Sequence, residues 1–171
     1  MPAEKIILIK NKDLNQDGTI PEILLQNTSA EHINLSNCKN LVEIKEEQLN
    51  NFKNLKTLNL FGCENLTSLP SSLASLKSLN FLILSCCKKL TTIPELPKKL
   101  EEIILFNCKS LRIDDDLMEK IEDFECSADE HLLGKIEEFK KIQEVNGGAV
   151  APATHPRDPQ SSERSREALL S

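Results

Sequence analysis

The chain has 171 residues, of which 39% are apolar, 28% charged and 4% aromatic, which suits one domain of ordinary size with a short appendage. No apolar run is long enough to span a membrane, and the apolar stretch near the N-terminus is too short for a signal peptide. The net charge of −6 and the absence of Trp and Tyr exclude a basic surface on which nucleic-acid bases could stack. We therefore expect a protein made in the cytoplasm without a classical signal peptide.

The first 30 residues are expected to be an N-terminal capping segment, with an opening strand near Ile6 to Ile9. The stretch Asp13 to Gly18 matches the start of a calcium-binding EF-hand loop. The twelfth loop position, which requires a bidentate Glu, is Leu24, and Pro21 occupies the ninth. We therefore favour an Asp-, Asn- and Gly-rich turn, with calcium binding as the alternative.

Residues 31–113 contain four copies of the pattern L-x-x-L-x-L-x-x-C-x-x-L-x-x-L, with substitutions. The copies that begin at Leu55 and Leu79 agree at every position of the pattern. Within each copy, L-x-L predicts a short strand whose leucines point inward, and no copy can bury its apolar face without neighbours. The cysteines of the four copies, which are 25, 24 and 21 residues apart, are Cys38, Cys63, Cys87 and Cys108.

This pattern resembles the leucine-rich repeats, whose period is roughly 20 to 29 residues. The resemblance implies an α/β fold, a leucine-rich repeat solenoid formed as a right-handed β-α superhelix, with a short parallel β-sheet on its concave face. Many such repeats carry Asn where this chain carries Cys. A cysteine fits there as a small buried group whose S–H reaches loop carbonyls, so we expect the four to be structural, reduced thiols.

The segments that follow the predicted strands differ from one another. Glu46 to Asn54 and Ser71 to Ser78 are compatible with helix, whereas two prolines exclude helix from Ile93 to Leu100. The last segment resembles the L-P-x-L-P-x-x-L unit of leucine-rich repeat effectors secreted by pathogenic bacteria. The cysteine-containing copies equally resemble the repeats of plant disease-resistance receptors, which also contain short L-P-x-L-P units. The repeat pattern alone therefore does not decide between bacterial effector repeats and plant receptor repeats.

After the last repeat, residues 114–145 are expected to form a helical C-terminal cap. An acidic first turn starts the first helix near Asp114, and Ser127 to Glu130 is a capping-box sequence that starts the second. A helical hairpin that binds a partner is the alternative.

Residues 146–171 are expected to be a disordered tail. The end of this tail, Ser161 to Ser171, resembles the translocation signals of type IV secreted effectors, and a tail without a role is the alternative.

Residues that alternate with the inward leucines should lie on the concave face and form the candidate surface for a protein partner. Their apolar members should make one exposed cluster, which soluble proteins rarely show without a partner. Alternatively, the N-terminal segment, the tail or a second copy covers the cluster, which would allow weak self-association. The candidates are His32, Asn34, Thr57, Asn59, Phe61, Phe81, Ile83, Ser85, Glu102, Ile104 and Phe106.

The sequence contains no recognisable catalytic or metal-binding set. There is no Cys-x-x-Cys pair, the three histidines are scattered, and no Gly-rich phosphate-binding motif occurs. Cys86 is expected near the rim of the concave face, with no histidine close to it. Cys126 and Asp129 differ in spacing from the C-x-D motif of secreted bacterial ubiquitin ligases, whose helical domain is also missing. We therefore predict no enzymatic activity, no metal and no cofactor.

The Lys-, Asn- and Ile-rich body, the L-P-x-L-P segment and the tail together resemble a bacterial effector. We therefore expect a non-catalytic protein–protein interaction module, secreted into the host cytoplasm by a type IV-like route, that binds a host protein through its concave face. One alternative is the recognition part of a plant-type immune receptor, although such receptors carry long nucleotide-binding regions that this chain lacks. Another alternative is the substrate adaptor of a ubiquitin ligase.

Overall fold

The computed structural model describes residues 5–121 and 125–145, so the predicted disordered tail lies outside the described residues. Six short strands form one parallel sheet whose strand order is the chain order, and the sheet is open. Together with a few helices, this sheet makes an α/β fold. The strands are β1 (Ile6–Leu8), β2 (His32–Asn34), β3 (Thr57–Asn59), β4 (Phe81–Ile83), β5 (Glu102–Ile104) and β6 (Glu125–Ser127).

The middle residue of each of the strands β1 to β5 points into the core, as the L-x-L pattern predicts. Because side chains alternate along a strand, one residue in three faces the core and its two neighbours face the opposite side. The middle residues of successive strands stand in register, and apolar residues of the connecting segments close the core behind them. The buried middle residues of the first five strands are Ile7, Ile33, Leu58, Leu82 and Ile103.

The four repeat cysteines are buried and free, which confirms their predicted structural placement. Each thiol donates to the carbonyl of the residue that follows the strand of the preceding strand–turn unit. The Cys38 thiol donates to the Ile9 carbonyl at 3.4 Å, and the Cys63 thiol donates to the Leu35 carbonyl at 3.3 Å. Burial raises the pKa of the Cys38 thiol to about 11 and that of the Cys87 thiol to about 12. The neutral thiol therefore persists inside the fold, where it links neighbouring units.

The residue before each repeat cysteine adopts a left-handed backbone conformation, a feature that the sequence analysis did not predict. The φ angles are 61° at Asn37, 71° at Gly62, 64° at Cys86 and 59° at Asn107. In this conformation the N–H of Asn37, Gly62 and Cys86 donates to a carbonyl of the next unit. Asn and Gly tolerate this region best, which explains their presence before the cysteines.

The connecting segments follow the predictions made for them. Helix α1 covers Glu46–Leu49, a 3₁₀-helix covers Ser71–Ser75, and the described segment Ile93 to Leu100 contains no helix. The Glu46 carboxylate accepts hydrogen bonds from the backbone N–H groups of Ser71 and Ser72, and these bonds lower its pKa.

The segment Asp13 to Gly18 starts with the last residue of a short 3₁₀-helix, Asn11–Asp13, and then turns toward a second 3₁₀-helix, Glu22–Leu25. The Asp17 carboxylate accepts from the N–H and the hydroxyl of Thr19, and these bonds lower its pKa. Gly18 has a φ of 78°, as a turn of this kind requires. One of the carboxylate oxygens that an EF-hand loop would offer to calcium, Oδ1 of Asp17, is thus engaged within the turn.

The C-terminal region contains two helices, α2 (Asp115–Ile121) and α3 (Glu130–Val145), with β6 between them. The capping residue of α3 is Asp129, whose carboxylate accepts from the N–H of Leu132 at 2.9 Å. Ser127, the predicted cap, instead lies in β6, because the sheet continues by one strand beyond the predicted repeats. No helix within the described ranges is long and apolar enough to cross a membrane.

Candidate functional site: the outer face of the sheet

The candidate site is the sheet face opposite the core, which we call the outer face. The first and last residues of each strand form two rows across it, in register from β1 to β5. One row contains Ile6, His32, Thr57, Phe81 and Glu102. The other contains Leu8, Asn34, Asn59, Ile83 and Ile104.

Phe61, Ser85 and Phe106 follow the strands at the same edge of the outer face. Their carbonyls accept the N–H groups of Asn37, Gly62 and Cys86 at distances of 2.6 to 2.8 Å. These bonds align the three residues beyond the two rows. The structure thus places all eleven predicted candidates on one side of the sheet.

Two asparagines on the outer face have fixed orientations. The Oδ1 atom of Asn34 accepts the N–H of Ser36 at 2.9 Å, and the Oδ1 atom of Asn59 accepts the N–H of Phe61 at the same distance. Because the carbonyl oxygens are held by the backbone, the Nδ2 groups are left as donors on adjacent strands. The pair can therefore offer two neighbouring hydrogen-bond donors to a ligand.

Along β3 to β5, three aromatic side chains provide the accessible apolar surface. Phe106 is 41% exposed, and Phe61 and Phe81 are partly buried. Rigid rings at partly buried positions offer a large contact area at low entropic cost, and such residues commonly carry the binding energy of interfaces.

The expectation of one exposed apolar cluster is wrong for its two isoleucines. Ile83 is 4% exposed and Ile104 is 3% exposed, although neither belongs to the core cluster. Their strands are central, so each isoleucine has register neighbours on both sides as well as side chains two positions away along its own strand. The accessible apolar surface is thus restricted to the phenylalanines on this part of the face.

Glu102 and Ser85 are also buried rather than exposed. The Glu102 carboxylate accepts the hydroxyl of Ser127 at 2.9 Å, so β6 covers this side of the row. The Ser85 hydroxyl has no hydrogen-bond partner in the described part of the chain. A buried hydroxyl without a partner costs roughly 1–3 kcal/mol.

Cys86 is partly buried, in contrast to the four repeat cysteines. The Asn107 side-chain amide lies 3.6 Å from its sulfur, in the geometry of a weak donor. Cys86 is thus more accessible than the four repeat cysteines. Asp129 caps α3 and also accepts the N–H of Asn107, and hydrogen bonds lower its pKa. The Asp129 carboxylate thus has a structural role, because it accepts backbone N–H groups from two segments of the fold.

The described residues contain no group of three or more His, Cys, Asp and Glu side chains that could hold a metal ion. The outer face is also poor in charge, since its two rows from β1 to β5 contain no Lys or Arg. Binding there would depend on apolar contact and neutral hydrogen bonds.

The sequence analysis missed two residues of this surface, Ile6 and Leu8. They begin both rows on β1 and are more than half exposed. The signal that could have found them is the repeat period, because Ile6 precedes His32 by about the same interval that separates the later strands.

No protein-family model matches the chain. Curated relatives are plant disease-resistance proteins. TMV resistance protein N of Nicotiana glutinosa is 40% identical over 44% of this chain and 6% of its own length. Disease resistance protein RPS4B of Arabidopsis thaliana is 30% identical over 50% of this chain and 9% of its own length. Disease resistance protein RPP4 of Arabidopsis thaliana is 38% identical over 61% of this chain and 9% of its own length.

These similarities relate the chain to the repeats of plant disease-resistance proteins. They favour the immune-receptor alternative over the bacterial effector that the sequence analysis put first, and they do not support secretion or virulence. The lack of a nucleotide-binding region does not argue against that alternative, because the chain spans less than a tenth of the length of these relatives.

Proposed function

We propose that this chain is a non-catalytic protein-recognition module of the plant disease-resistance type, and that it binds a protein partner through its outer face. The observation that carries the proposal is the combination on one surface of three accessible phenylalanines and two oriented amide donors. The plant relatives support the type of module.

The same proposal includes the architecture. Successive strand–turn units of 21 to 25 residues, linked by cysteine-to-carbonyl contacts, are interpreted as a right-handed leucine-rich repeat solenoid with the outer face concave. Concavity would allow Phe61, Phe81 and Phe106 to contact one partner segment together.

The chemistry of the outer face defines the partner that it fits. Neighbouring Nδ2 donors on Asn34 and Asn59 require acceptor oxygens, and backbone carbonyls of an extended segment provide them. The phenylalanines require apolar side chains on that segment. The low charge of the surface favours a neutral segment over a strongly acidic or basic one, because an unpaired charge would be desolvated there.

Affinity capture from plant leaf extract tests the proposal. The full chain is compared with a Phe61→Asp/Phe106→Asp variant and with Leu133→Asp, after circular dichroism shows that all three are folded. Leu133 is exposed on α3 to about the same extent as Phe106, which makes it a matched control. We expect a protein retained by the wild type and by Leu133→Asp and lost by the double variant.

A protein that the double variant retains would contradict binding through the outer face. Loss in Leu133→Asp alone would instead assign binding to the C-terminal helices, as the ubiquitin-ligase adaptor alternative requires.

A further inference from the structure

The turn before each of the strands β3, β4 and β5 carries an exposed lysine. The three turns have the same geometry, since the N–H groups of Leu55, Leu79 and Leu100 each donate to the carbonyl three residues earlier. The strands that follow are in register, so equivalent turn positions lie side by side at about the 4.8 Å spacing of neighbouring strands. The exposed residues four positions before each strand, which we call the lysine row, are Lys53, Lys77 and Lys98.

The lysine row contains no acidic residue that would separate its charges, and like charges side by side repel. The turns at the other end of the strands alternate in sign. There Glu64 pairs with Lys39 at 3.2 Å and with Lys88 at 2.8 Å. In the part of the chain that the structure describes, no member of the lysine row forms an ion pair. The row therefore concentrates uncompensated positive charge in a chain whose net charge is −6.

A cleft of about 450 Å³ adjoins the lysine row. Two of the residues that line it, Ser78 and Lys99, directly follow Lys77 and Lys98 in the chain. The other lining residues are Lys56, Asn80 and Glu101. The volume of the cleft is within the range of sites that bind small molecules.

The carboxylates beside the cleft already have partners. The Glu31 carboxylate pairs with Lys56, and this contact lowers the pKa of Glu31. The Glu101 carboxylate accepts the side-chain amide of Asn80. The row, the cleft lining and Glu31 together contain five lysines and two glutamates, so positive charge is in excess. This balance favours a ligand with more than one negative charge.

We propose that the cleft and the lysine row bind a soluble small molecule that carries two or more phosphate groups. A lysine ammonium binds phosphate as a compact point charge, and neighbouring phosphates of one small molecule suit the close spacing of the row. An acidic peptide suits it less well, because carboxylates on the same side of an extended segment are about 6.7 Å apart. The site lies at the amino ends of the strands and does not depend on the partner proposed for the outer face.

Isothermal titration of the full chain with up to about 1 mM tripolyphosphate tests the proposal, at about 0.15 M ionic strength, where charges act over about 8 Å. Lys77→Glu/Lys98→Glu reverses two charges of the row. Lys89→Glu/Lys109→Glu is the matched control, because it reverses two exposed lysines in the turns at the other end of the strands. We expect the first variant to weaken binding by about tenfold or more and the control to stay within about threefold of the wild type.

Glu101→Gln tests the cleft itself. It removes the carboxylate from the lining, so binding of tripolyphosphate should become about threefold tighter or more. Circular dichroism shows that each variant is folded.

A wild type that does not bind tripolyphosphate would overturn the proposal. So would equal losses in the two double variants, since these would reflect net charge alone. Unchanged affinity in Glu101→Gln would contradict binding in the cleft. A hexaglutamate peptide that binds as tightly as tripolyphosphate would contradict the assignment to phosphate.

Discussion

The two sides of the same strands differ in what determines their exposure. On the core side, the middle residues of β1 to β5 are all buried, and Leu58 and Leu82 fully so, because strand alternation alone directs them inward. On the outer side, exposure falls from Leu8 on the first strand to Ile104 on the fifth. The alternation of side chains along a strand therefore determines which face a residue occupies. The neighbouring strands determine how much of its side chain is exposed to a ligand.

The largest effect expected from this comparison is on the core side of β3. Leu58→Ala should lower the free energy of unfolding by about 2–5 kcal/mol, since it removes a fully buried side chain and leaves a cavity. Thr57→Ala, one residue earlier on the outer face, should change it by less than about 0.5 kcal/mol. Urea denaturation measures both. Equal losses would show that the outer face is packed like the core.

The left-handed positions provide the next largest effect. Gly62→Ala should cost about 1–2 kcal/mol, because φ is 71° there and the new Cβ would lie 2.7 Å from Asn37 Oδ1. Cys86→Asn, at the equivalent position of the next unit, should change stability by less than about 0.5 kcal/mol, since Asn tolerates this conformation. Thermal unfolding of the two variants distinguishes them, and a neutral Gly62→Ala would contradict the assigned backbone.

The buried thiols predict a loss of stability at alkaline pH. Their pKa is raised from 9.0, to about 11 for Cys38 and about 12 for Cys87. Above pH 9.0 the thiols of the unfolded chain ionise while those of the folded chain stay neutral, so stability is full below pH 9.0 and falls as the pH rises toward the folded values. The slope should reach about 1.4 kcal/mol per pH unit for each thiol.

Urea midpoints at several pH values from 7.5 to 11 measure this loss, with Cys87→Ala as the comparison. The variant should show a shallower alkaline decline than the wild type. Identical slopes would mean that Cys87 ionises equally in the folded and unfolded chains.

The smallest expected effect concerns the unpartnered hydroxyl of Ser85. Ser85→Ala should leave the free energy of unfolding unchanged or raise it by up to about 1 kcal/mol, because it removes a buried group that makes no hydrogen bond within the described residues. A clear loss of stability in Ser85→Ala, measured by thermal unfolding, would show that the hydroxyl is satisfied in the free protein.

The sequence predicted the register of β2 to β5 well, because period-two leucines recur with a cysteine at a nearly constant interval. It missed β6, since Glu125–Ser127 lacks the L-x-L pattern and is recognisable only by the repeat period. It also placed Ile83 and Ile104 among exposed residues. Burial on the outer face depends on which strands lie alongside, and a repeat pattern alone does not contain that information.

The central claim is that the outer face binds a protein partner. Isothermal titration of the captured partner with the wild type, Phe106→Ala and Val42→Ala tests it most directly, because Phe106 and Val42 are almost equally exposed and only Phe106 lies on the outer face. We predict that Phe106→Ala weakens binding by about tenfold or more, while Val42→Ala leaves the affinity within about threefold of the wild type. Equal affinities for all three proteins would contradict the claim.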